Sequence, residues 1–154
     1  MSAKLWEAFE NGNLSLFEKL LNECANKGQV LQSGPNPIPC QAAAKGLAEF
    51  LRVALDTDPW SCTLLDSCDR SPLMLSALNG HANVVALVLE KKPPSCSAKA
   101  LLHQLDIHKM NALHLAVLGG CDAAVELLLA AGDGAGAEMG EQGGLLPLHL
   151  ACSK

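Results

Sequence analysis

A chain of 154 residues with 49% hydrophobic content and a formal net charge of −5 is long and apolar enough for one folded domain with its own core, which excludes a disordered polymer. Aromatic residues make up only 3% and tyrosine is absent, so the core has to be assembled from Leu, Ala and Val. The acidic balance and the scattered basic residues, with Lys91-Lys92 the only adjacent pair, argue against nucleic-acid binding, which needs clustered Lys and Arg.

The first predicted element is a pair of short helices around Gly12, in "EAFENGNLSLFEKLL". Leu5 and Phe9 give it an apolar face, and Lys4, Glu7, Glu10, Asn13 and Glu18 give it the polar outer face of a terminal cap. The stretch "ANKGQVLQSGPNPIP" (25–39) is rich in turn formers and reads as a connecting loop. A second helix pair, "AAAKGLAEFLRVAL", surrounds Gly46, 34 residues after Gly12. The third, "SPLMLSALNGHANVVALVLE" (71–90), surrounds Gly80, again 34 residues on. Here Ser71 can cap free N–H groups and Pro72 is tolerated in a first turn. Leu73, Ala77 and Leu78 follow at helical spacing, and Gly80 is expected to end the helix in the left-handed conformation. Val84, Val85, Leu87, Val88 and Leu89 then predict a second helix that is apolar around much of its circumference.

Six extra residues fall within "EKKPPSCSAKALLHQLD" (90–106), where Ser97 to Leu105 predicts an added helical turn. The fourth pair, "LAVLGGCDAAVELLL", surrounds Gly120, 40 residues after Gly80. A stretch with six glycines (131–144) reads as a flexible loop, and "LPLHLAC" (146–152) opens a fifth unit. Leu5, Pro39, Leu73 and Leu113 each stand seven residues before their glycine, and Phe9, Ala43, Ala77 and Val117 stand three before. A period of this size that keeps its register is the mark of a solenoid, whose units bury their apolar faces only by stacking.

The unit resembles the ankyrin repeat. The family opens its repeat with T-P-L-H-x-A-A-x-x-G-H, and "SPLMLSALNGH" (71–81) follows it with Met74 in the histidine place. "NALHLAVLGGC" (111–121) keeps Leu113-His114, "LPLHLAC" keeps Leu148-His149, and Asp66, Asp106 and Glu141 stand where each hairpin opens. The resemblance implies an all-α, helix-turn-helix solenoid with hairpin loops, in units of about 1–34, 35–65, 66–105 and 106–140 and a partial 141–154. Because that fifth unit breaks off at Lys154, the sequence is expected to be part of a longer protein.

The function that follows from the resemblance is non-catalytic recognition of another protein on a concave face, as a scaffold or adaptor. The alternative is a regulatory or substrate-recruiting segment of a larger enzyme or channel. Self-association through the C-terminal edge is a third reading. Family contact positions map onto Ser67, Cys68, Arg70, Leu78 and Asn79 in the third unit and onto Ile107, His108, Met110 and Leu118 in the fourth, with Ala44 and Lys45 in the second. Ile107 and Met110 are apolar where a solvated hairpin prefers polar residues, and Arg70 is suited to fork a partner's carboxylate. Trp60 is either a loop hot spot or a staple for its hairpin. His114 and His149 are expected to be structural, bonding hairpin backbone, as are Gly46, Gly80 and Gly120.

Catalytic, metal and cofactor chemistry are not expected. His81 and Cys121 occupy equivalent places in adjacent units, about 10 Å apart by helix packing, where a nucleophile and its base need about 3 Å. Cys62 and Cys68 are six apart and His103 and His108 five apart, wider than the closely spaced pairs of structural zinc. Seven cysteines without a C-x-x-C pair read as reduced packing thiols. No apolar run approaches the roughly 18–20 residues of a membrane span, the N-terminus lacks a signal-peptide core, and Ser2 stands where myristoylation needs glycine. An intracellular, cytoplasmic location is therefore expected, with the nucleus also open.

Overall fold

Each structural unit begins with a short helix that a left-handed residue brings to an abrupt end. In a computed structural model that describes residues 2–32 and 36–132, Gly12, Gly46, Gly80 and Gly120 have φ of +69°, +73°, +77° and +71°. That conformation turns the chain back, so a second helix packs antiparallel on the first.

The described residues form ten α-helices and no strand. The first helices of the pairs are α1 (Ser2–Glu10), α4 (Ile38–Lys45), α6 (Pro72–Leu78) and α9 (Ala112–Gly119). Their antiparallel partners are α2 (Leu14–Glu23), α5 (Ala48–Thr57), α7 (Ala82–Lys91) and α10 (Asp122–Gly132). Two layers result: α4, α6 and α9 stack in one, and α2, α5, α7 and α10 stack in the other. The fold is thus the all-α helix-turn-helix solenoid that the resemblance implied.

Local chemistry sets the starts. Ser71 accepts from the Met74 N–H at 3.3 Å and Pro72 takes the first turn of α6, as the sequence predicts. Asn111 caps α9 through the His114 N–H at 2.9 Å, and Asn13 caps α2 through the Leu16 N–H at 3.1 Å. Such caps are each worth about 1 kcal/mol.

Three short elements fill the connections. Helix α8 (Ala98–Leu102), capped by Ser97, is the added turn expected between the third and fourth pairs, and it buries Leu101 and Leu102. A 3-10 turn covers Pro59–Thr63. Helix α3 (Lys27–Leu31) corrects the reading of 25–39 as a loop: Leu31 is fully buried, and that anchor holds one helical turn among residues that favour turns. Burial of a leucine, about 2 kcal/mol, outweighs the local preference of Gly28 and Asn26.

One continuous core runs through the stack from Leu5 to Leu128. Its aromatic part is confined to one end. Phe9, Phe17 and Phe50 meet with ring centroids 5.1–6.3 Å apart, Trp6 adds an edge contact, and the Lys45 ammonium lies 5.3 Å from the Phe9 centroid. From the third pair onward the core is aliphatic, with Leu73, Met74, Val84, Val85 and Val88 fully buried. Among the described residues no helix is long and apolar enough to cross a membrane. The fifth unit, with the glycine-rich 133–144, Glu141, His149 and the C-terminal edge, lies outside the described residues.

Candidate protein-binding face

Two hairpin tips stand beside the first helices, and both are organised by an aspartate. In the third unit the Asp66 carboxylate accepts from the backbone N–H of Cys68 at 2.8 Å and of Arg70 at 2.9 Å. The Asp66 N–H donates to Arg70 C=O at 3.0 Å, closing the tip. In the fourth unit the Asp106 N–H donates to Met110 C=O at the same distance. Asp69 and Lys109 both take left-handed φ, +58° and +62°, so the two tips share one conformation. The Ile107 N–H donates to Cys68 C=O at 3.2 Å and ties one tip to the next.

The positions singled out in the sequence divide into two groups. Ile107 is 51% exposed and Leu118 39%, and His108, Ser67 and Asn79 are also exposed. Met110 and Leu78 are half-buried against the core. The backbone N–H of Ser67 reaches Asn36 Oδ1 at 3.4 Å, and the Asn79 side chain is turned back onto Leu75 C=O at 2.8 Å. Arg70 is likewise engaged: its Nε and Nη2 both lie 3.0 Å from Asp66 Oδ2. Its guanidinium already braces its own hairpin, which makes a fork for a partner's carboxylate the lesser use of this side chain. Arg70, Asp66, Ala44, Gln41, Cys40, Leu75 and Asn36 line an open cleft of about 140 Å³ between hairpin and first helices.

Trp60 is 52% exposed on the 3-10 turn, so it does not staple that segment by burial. His114 is fully buried, and its Nδ1 lies 3.3 Å from the Asn111 N–H and 2.7 Å from Asn111 Oδ1. One proton decides whether Nδ1 accepts or donates, and either state fastens the ring to the α9 cap.

Two residues tie adjacent units in ways that the motif did not announce. Cys40 stands in the histidine place of the second unit, and its thiol donates to Leu64 C=O at 3.4 Å and, at longer range, to Arg70 C=O at 3.8 Å. Burial first, and then the charge of Asp66, push this thiol from an ordinary 9.0 up to about 12, so it stays protonated and remains a donor. His81 Nε2 lies 3.1 Å from Ala44 C=O, one of the carbonyls at the end of α4 that its own helix leaves open. A carbonyl only accepts, so the proton sits on Nε2. The ring lies against Gly46, where an added Cβ would come within 2.7 Å of it. Cys121 repeats the device weakly, its Sγ 3.6 Å from Gly80 C=O.

Cys62 is also a buried thiol pushed up to about 11, first by burial and then by Cys96. Among the described residues no group of three or more His, Cys, Asp or Glu is placed to hold a metal ion. Residues 5–100 match the family model described as Ankyrin repeats (3 copies).

Proposed function

The chain belongs to the ankyrin repeat family, whose repeats generally serve protein–protein interaction, and on that premise we propose that it is a non-catalytic recognition scaffold. Its partner docks across the hairpin tips and the adjoining first helices. The observation that carries this reading is Ile107: an isoleucine half exposed on a hydrogen-bonded hairpin tip, with Leu118 exposed on α9 of the same unit. Exposed aliphatic residues on a preformed surface supply contact area with little ordering cost.

The test is affinity capture with three forms of the protein: wild type, Ile107→Glu, and Arg52→Glu on the outer helix α5. Partners retained by wild type and Arg52→Glu and lost with Ile107→Glu support the reading. Partners held equally by Ile107→Glu overturn it.

A further inference from the structure

Asp66 and Asp106 open equivalent hairpins and are bonded alike through one oxygen. Asp106 Oδ1 accepts from the His108 N–H at 2.8 Å and the Met110 N–H at 3.0 Å, matching Asp66 Oδ1 with Cys68 and Arg70 at 2.8 and 2.9 Å. They part at the second oxygen. Asp66 Oδ2 holds the Arg70 guanidinium. Among the described residues, Asp106 Oδ2 has no hydrogen-bond partner, and it is buried in a residue only 3% exposed. The residue equivalent to Arg70 is Met110, which has no donor to offer. Among the described residues, another buried acceptor on the same stretch, Gln104 Oε1, also lacks a donor, and the donor Asn111 Nδ2 lacks an acceptor.

A buried carboxylate oxygen left without a partner is costly, and the third unit shows what satisfies it. We propose that the partner protein supplies the missing cation: an arginine side chain pairs with Asp106 Oδ2, its methylene stem lying along Met110 and Ile107. This rests on the reading of the hairpin face as the docking surface and specifies what docks there. The position is defined by the equivalent pair, since Oδ2 of the matched carboxylate faces the side chain four residues on. Met110 is unbranched and flexible, so it can move aside and still pack against the incoming stem. A guanidinium is the cation best matched to a carboxylate. The chain's net charge of −5 favours a basic partner. His108 and Lys109 lie on the same hairpin, and among the described residues no cation lies within ion-pair distance of Asp106. Recognition therefore depends on direct pairing at one carboxylate rather than on a broad acidic field.

The experiment selects phage-displayed random linear peptides on the full chain, then measures each selected peptide by fluorescence anisotropy against wild type, Met110→Arg, Asp106→Asn and Ile107→Glu. Each peptide is also made with citrulline, the neutral isostere, in place of arginine. The expected result is a fixed arginine whose change to citrulline weakens binding about ten- to a hundredfold. Met110→Arg is expected to weaken binding to a similar degree, because the protein then satisfies Asp106 itself. Met110→Arg is also expected to melt at or above the wild-type temperature, so its loss of binding is not a loss of fold, whatever Asp106→Asn does to stability. Peptides that need Ile107 but ignore both the citrulline change and Met110→Arg overturn this inference and leave the docking face standing. Peptides that bind Ile107→Glu as well as wild type, or a selection that yields none, overturn both.

Discussion

The joint between the second and third helix pairs and the joint between the third and fourth are built from the same positions with different chemistry. At the first, Cys40 donates to hairpin carbonyls, His81 caps α4, and Arg70 neutralises Asp66. At the second, the corresponding residues are Met74, Cys121 and Met110, and the ties seen among the described residues include a long thiol bond from Cys121 and a contact between hairpin backbones. Close packing takes their place. Gly119 lets α9 approach α6 until an added Cβ would stand 2.2 Å from Leu78 C=O. A solenoid can therefore hold equivalent joints by hydrogen bonds or by contact, and at the second kind Asp106 Oδ2 is buried with no partner among the described residues.

The largest effect is expected where contact alone holds the joint. Gly119→Ala drives a carbon into a backbone carbonyl that cannot swing away, and it should cost about 3 kcal/mol in chemical denaturation. A variant as stable as wild type would break the comparison. Next, His81→Ala removes a bond to a helix-end carbonyl and should cost about 1–2 kcal/mol, whereas Cys121→Ala should cost about 0.5 kcal/mol or less. Equal losses in thermal melts would show that the two joints do not differ in this respect.

The remaining effect concerns pH. The Cys40 thiol is protonated in the folded chain up to about 12, while the unfolded chain ionises near 9.0, so the folded state binds the extra proton between those values. Its contribution is complete below pH 9 and falls as pH rises toward 12, by about 1 kcal/mol per unit. Cys62, pushed up to about 11, acts in the same direction. Urea titrations from pH 8 to pH 10 should show this decline, and a Cys40→Ala curve should be shallower. Parallel curves would remove Cys40 from the account.

Much of the fold was legible because its signals are local. A glycine at fixed period, with Ser71-Pro72 before it, states where a helix starts and stops, and both features are found as read. Helix α3 was not legible, since only tertiary burial of Leu31 supports it. On the candidate face, the exposure of Ile107 follows from its place on a hairpin tip. The service of Cys40 in the histidine place does not, because a thiol reads equally well as packing until its distance to Leu64 C=O is known. Arg70 illustrates the converse: its sequence position suggests an outward fork, and Asp66, four residues earlier, holds it inward.

The confinement of aromatic rings to one end has an optical consequence. Trp6, Phe9, Phe17, Phe50 and Trp60 all precede the third helix pair, and no Phe, Trp or Tyr follows residue 60. Tryptophan emission and near-ultraviolet ellipticity therefore sense one side of the molecule, while the far-ultraviolet signal counts helix everywhere. Two-state unfolding makes such probes superimpose. If the contact-held joint opens first, the far-ultraviolet curve departs from its baseline at a denaturant concentration where the tryptophans still glow as in the native protein.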